Sequence, residues 1–176
     1  VTGGSRLRLY VAEITDACAA AGAKVVVVGG GYGGATAAKY IRMYSEGSID
    51  VTLVEPLPEF ISCPMSNLVL GGSWSITNVT MSREGLAKAH GVKVVRDSAR
   101  AIDADRKVVR LAGGGELPYD RLILSPGIDF MVETIPGLAS AEAQQRVRHA
   151  WKAGPETAAL RAQLELDALL ITRGER

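Results

Sequence analysis

Val25-Val26-Val27-Val28-Gly29-Gly30-Gly31-Tyr32-Gly33-Gly34, with Ile49-Asp50-Val51-Thr52-Leu53-Val54-Glu55 further on, decides the fold. An uninterrupted β-branched run suits a central parallel strand covered on both faces. Gly29, Gly31 and Gly34 occupy the G-x-G-x-x-G positions, and Glu55 follows the last of them by 21 residues. In this pattern Gly29 turns the chain off the strand. Gly31 lets a pyrophosphate approach the backbone, and Gly34 lets the next helix press on the strand. That helix directs its N–H groups and positive dipole end at the phosphates. A second strand then delivers a carboxylate to the sheet edge, where it accepts from ribose hydroxyls and repels a 2′-phosphate. The spacing predicts a nucleotide-binding βαβ unit. It leaves FAD and NAD both open, and the acid disfavours NADP.

Helical spacing places Ala37, Ala38, Ile41 and Tyr44 on one side of the helix and Lys39 and Arg42 on the wetter side. Gly47 is the expected stop. Residues 56–80 hold Pro56, Pro58, Pro64, Gly71 and Gly72 and read as an irregular excursion with a short helix at Ser66–Leu70. Ser82 is the expected cap of a helix ending at Gly91, and Val92–Val95 the third parallel strand. Alternation over Ser98–Asp103, Lys107–Leu111 and Glu116–Tyr119, with turns at Asp103–Arg106 and Gly113–Gly115, predicts an antiparallel meander. Leu122–Leu124 returns as a strand, and Ser125-Pro126-Gly127 closes it with a second backbone approach to the ligand. Gly154-Pro155-Glu156 starts a helix in which Leu160, Leu164 and Ile171 share a face.

The chain has 176 residues, 47% of them hydrophobic, and a net charge of +1. Mean hydropathy is +0.13. That supports one domain and a fraction with a real core. It gives no electrostatic case for nucleic acid or an acidic membrane surface. No apolar run reaches the length of a membrane span. Cys18 and Cys63 are too few for a disulfide scaffold. His90 and His149 lack ligand spacing and read as surface or helix-end residues. Nucleophile elbow, P-loop lysine and zinc motifs are absent. Near the start, Leu7–Val11 is weakly apolar but Arg8, Glu13 and Asp16 break a signal core, although Ala19–Ala21 resembles a cleavage site. Residues 1–22 therefore read as an extension, a degenerate signal at most.

The element order β-α-β, crossover, β, meander, β resembles the FAD domain of the two-dinucleotide-domain flavoproteins. Tyr119-Asp120-Arg121-Leu122-Ile123-Leu124-Ser125-Pro126-Gly127 resembles the second FAD signature of that group. This tips the expected cofactor to FAD. The expected fold is α/β: a Rossmann-like FAD-binding domain over residues 23–140, with a parallel sheet and an inserted three-stranded antiparallel meander. Residues 141–176 then form a linker and helix leading to an absent second dinucleotide domain.

Phe60-Ile61-Ser62-Cys63-Pro64-Met65-Ser66-Asn67, Val69-Leu70-Gly71-Gly72 and Ala150-Trp151-Lys152-Ala153-Gly154 carry a narrower likeness. Over residues 23–166 the chain resembles the flavoprotein subunit of flavocytochrome c sulfide dehydrogenase, as an N-terminal portion of it. The resemblance implies a periplasmic enzyme that oxidises sulfide at FAD and passes electrons to a c-type cytochrome subunit. It implies a cofactor set of Gly29, Gly30, Gly31, Gly33, Gly34, Glu55, Ala99, Pro126 and Gly127. It also implies a thioether from Cys63 to the flavin 8α-methyl, in keeping with thiolate nucleophilicity. The plainer reading of Cys63 is a small buried apolar residue. The redox-active cysteine pair of the family matches neither Cys18 nor Cys63, so no catalytic residue is assigned. Sulfide:quinone reductase, an NAD(P)H-dependent flavin reductase and an inactive FAD-binding fragment are the alternatives.

Overall fold

The computed structural model describes residues 22–173, so Cys18 and the extension lie outside the described residues. A four-stranded parallel sheet has the order β5-β2-β1-β9. Its strands are β1 (Lys24–Val28), β2 (Asp50–Val54), β5 (Lys93–Val95) and β9 (Arg121–Leu124). The register aligns Val28 with Val54 and with Leu124, and Val54 with Val95. All four strands thus end level, and Gly29, Glu55 and Ser125, which follow β1, β2 and β9, share one edge. That edge is where ligands bind in open parallel sheets.

The valine run is buried on both faces because its side chains alternate. Val25 and Val27 pack with Val51, Leu53, Ile49 and Val92 against Ala38 and Ile41 of helix α1 (Tyr32–Tyr44). Val26 and Val54 face the other way and pack with Val109 and Leu111. Those two come from the predicted meander, strands β6 (Ala99–Asp103), β7 (Val108–Leu111) and β8 (Glu116–Pro118), antiparallel in that order. Its solvent side carries Arg110 and Arg106 against Asp103 and Glu116 at 3.3–3.9 Å. Such exposed pairs add little stability.

Three local expectations need correction. Tyr44 is exposed and stacks on Tyr40 with ring centroids 5.5 Å apart. The buried stripe runs through Gly34, Ala38 and Ile41, and at 3.6 residues per turn position 44 lies about 80° from it. Arg42 is no solvated side chain. Its Nε donates to the His90 carbonyl at 3.0 Å, and its Nη1 to those of Gly47 and Ile49 at 2.7 and 2.6 Å. Helix α3 (Glu84–His90) ends at Gly91 with φ +65° as expected, but its N-cap is Arg83. Ser82 stands one residue earlier, its Oγ accepting from Glu84 N at 3.1 Å.

The chain divides into two compact units, residues 22–58 with Ser82–Ile128, and Glu59–Met81 with the segment from Asp129 onward. The first holds the parallel sheet and the meander. The second contains strand β3 (Glu59–Ile61), which pairs with β4 (Thr80–Ser82), helices α2 (Ser66–Leu70), α4 (Ala141–Arg146) and α5 (Pro155–Arg173), and 3₁₀ turns. Helix α2 occupies the predicted Ser66–Leu70 span. Arg161 on α5 donates from Nη1 to the Leu70 carbonyl at 2.9 Å, which ties the two helices together. Along α5, Leu164 and Ile171 are exposed, so the predicted face is present but largely uncovered. His149 departs from the expected surface position: its Nδ1 is buried and its ring lies 4.5 Å from that of Phe130.

Candidate dinucleotide site

The glycine turn takes its shape from close approaches. Gly29 has φ +97°, and a Cβ there would lie 2.0 Å from the Ser125 carbonyl oxygen. A Cβ at Gly34 would lie 1.8 Å from the Gly29 oxygen, so the start of α1 sits directly on the turn. Gly31 is different: a Cβ there would meet nothing within 4 Å. The backbone at this point is open to a ligand. Gly31 is also the N-cap of α1, which has no side-chain cap and no acid in its first turn. No acid in the helix's own first turn therefore offsets the positive end of its dipole, which lies beside an accessible backbone.

Glu55 points into this turn. Its Oε2 accepts from Gly30 N at 2.7 Å, and its Oε1 accepts from Leu57 N at 3.0 Å. Arg83 holds the same two residues by their carbonyls. Its Nε and Nη2 each donate to the Gly30 carbonyl at 3.3 Å, and its Nη1 to that of Leu57 at 2.7 Å. The Arg83 Nη2 lies 3.7 Å from Glu55 Oε2, and the side chains are 7% and 12% exposed. Burial pulls the Arg83 pKa below its ordinary value, the Glu55 charge opposes that fall, and Arg96 adds to it. Arg83 escaped the sequence reading. The available signal was a cation at a helix N-terminus, where the dipole disfavours it.

The remaining candidates fall into three places. Ser125 N donates to the Val28 carbonyl at 2.8 Å, which brings the Ser125-Pro126-Gly127 turn to the same sheet edge. Gly127 has φ +75° and is exposed, and a Cβ at Gly33 would meet Ser125 Oγ at 2.6 Å. Ala99 opens β6 and packs half-buried against the second core cluster. Cys63 belongs to the second unit, where it starts a 3₁₀ turn and its thiol donates to the Trp151 carbonyl. The adjoining Lys152 Nζ lies 2.9 Å from Asp129 Oδ1. That contact, with the Phe130 N–H, holds the Asp129 carboxyl below its usual range.

Among the described residues no cluster of His, Cys, Asp and Glu could hold a metal. No helix there is long and apolar enough to cross a membrane. An uncapped helix start, an open glycine and a fixed carboxylate one strand away suit the diphosphate and ribose of a dinucleotide.

Comparison with known proteins agrees. The sulfide dehydrogenase (flavocytochrome c) flavoprotein chain of Chlorobaculum thiosulfatiphilum is 61% identical over 46 residues, 26% of this chain and 94% of that sequence. The mitochondrial sulfide:quinone oxidoreductase of Dictyostelium discoideum is 29% identical over 115 residues, 65% of this chain and 25% of the relative. The chain thus spans a quarter of that relative's length. Sulfide:quinone oxidoreductase from the hyperthermophile Aquifex aeolicus superposes with a TM-score of 0.67 at 24% identity, covering 83% of this chain and 32% of that one, which establishes a common fold. The family and a flavoprotein relative support FAD as the cofactor. Over residues 23–169 the sequence matches the pyridine nucleotide-disulphide oxidoreductases, and the chain belongs to that family.

Proposed function

We propose that this chain is the FAD-binding part of a flavin oxidoreductase that acts on sulfide in the periplasm and delivers electrons to a c-type cytochrome. The open backbone at Gly31, beside the Glu55 carboxylate anchored 2.7 Å from Gly30 N, is the observation that carries the cofactor reading. The Chlorobaculum flavoprotein relative supports the sulfide and cytochrome parts. Gly31, Gly33 and the first turn of α1 hold the diphosphate, and Glu55 holds the adenosine ribose. Pro126 and Gly127 offer backbone at the same edge, and Ala99 lines the adenosine side. Bound FAD supplies the two-electron chemistry and can release those electrons singly.

Cys63 is proposed as the covalent anchor, through a thioether to the flavin 8α-methyl. One S–C bond forms while the thiol hydrogen and one methyl hydrogen leave. Their two electrons and two protons go to an external oxidant such as dioxygen. The contact with the Trp151 carbonyl orients the thiol. Protein reconstituted with FAD is expected to stay yellow through acid precipitation, and Cys63→Ser to release all its flavin. Complete release from the unmodified chain would remove the tether. Calorimetry with FAD tests the site itself, and absence of binding would leave an inert fragment.

The match over 115 residues to a sulfide:quinone oxidoreductase supports a second reading, with quinone as acceptor. Cytochrome c, quinone and nicotinamide acceptors, assayed on a longer protein containing this chain, separate the readings.

A further inference from the structure

Arg83 is a buried cation with no evident reason to be at the start of α3. The dipole of that helix repels it, and burial of an unpaired charge is costly. Its contacts supply the reason. Arg83 donates to the carbonyls of Gly30 and Leu57, while Glu55 accepts from the N–H groups of the same two residues. The two side chains together bracket one residue of the glycine turn and one residue of the loop after β2.

We propose that Arg83 is the positioning residue of the dinucleotide site, setting the Glu55 carboxylate for the adenosine ribose. This rests on the dinucleotide reading above. A carboxylate has about four lone-pair sites. Gly30 N and Leu57 N take one on each oxygen, and the others remain for ribose hydroxyls. At 7% exposure and with its donors directed to two carbonyls, the guanidinium does not itself meet the ligand. It holds both carbonyls in place and offsets the Glu55 charge. The fork geometry matters, because a lysine ammonium cannot span two carbonyls in this way.

The test compares ADP with 2′-deoxy-ADP by titration calorimetry on the full chain. Loss of a hydrogen bond to a charged group is expected to make the unmodified chain prefer ADP by roughly tenfold or more. In Arg83→Met the preference falls to about one. In Arg83→Lys it falls at least threefold, both variants being checked for folding by circular dichroism. A purely structural role would weaken both nucleotides alike, so an unchanged ratio in a folded variant overturns the proposal. Arg83→Lys decides the matter if Arg83→Met does not fold. If the unmodified chain binds neither nucleotide, the dinucleotide reading fails and takes the Arg83 role with it. If it binds both equally, the Glu55–ribose contact is wrong and Arg83 has nothing to position.

Discussion

The two units treat their interior polar groups in opposite ways. In the first, Glu55, Arg83 and Arg42 each bond to two or more backbone groups, at least one of them 25 or more residues away. In the second, Ser66 Oγ, His149 Nδ1 and Thr157 Oγ1 are buried with no partner among the described residues. Apolar burial divides the same way. The first unit buries two valine-rich clusters, and the second contributes Val69 and Val79. Buried polar groups are normally paired. The glycine turn is therefore shaped in advance by its own chain, while the second unit keeps polar groups that can still take partners.

The largest effect should come from breaking the turn where the chain shapes it. Gly29→Ala combines φ +97° with a Cβ placed 2.0 Å from a carbonyl oxygen. A loss of about 3 kcal/mol or more is expected in urea unfolding. Gly31→Ala, two residues on, adds a methyl to open space and should cost less than about 0.5 kcal/mol. Its effect belongs to the ligand: FAD affinity should drop by on the order of tenfold as the methyl enters the diphosphate position. Equal destabilisation by the two changes would mean that no open place exists in this turn.

Arg42 tests whether the first unit depends on such latches away from the site. Arg42→Met keeps the aliphatic stem but strands the carbonyls of Gly47, Ile49 and His90. Gly47 is exposed and His90 half-buried, so water can compensate there in part, whereas Ile49 is buried. A loss of about 2 kcal/mol is expected from chemical denaturation, with nucleotide affinity unchanged.

What could be read from the sequence was what local pattern encodes. The Val25–Val28 run, the glycine spacing, the alternation of the meander and the acid at position 55 are signals within a few residues or one βαβ unit. Arg42 and Arg83 could not be found in this way. Their farthest partners lie 48 and 53 residues away, and only the folded chain brings them together. Arg42 was the harder case, because a cation in the last turn of a helix suits the dipole and looks like an ordinary solvated residue. Arg83 broke that rule and could have been singled out. Tyr44 has the type and approximate spacing of a core residue, but its phase on the helix leaves it outside the buried stripe. The uncovered face of α5 was visible as a pattern, but sequence alone does not say what lies against it.

The smallest effect carries the comparison into the second unit. Thr157 is wholly buried near the start of α5, and its Oγ1 has no partner, although its backbone N donates to the Gly154 carbonyl at 3.1 Å. Removing an unsatisfied hydroxyl recovers its desolvation cost and leaves the shape nearly unchanged. Thr157→Val should therefore be neutral or stabilising by up to about 1 kcal/mol in thermal unfolding. Destabilisation of the same size would mean that this hydroxyl is paired in solution, by water or a bound group. The second unit would then have a satisfied interior like the first, and the contrast drawn from its unpaired atoms would not hold.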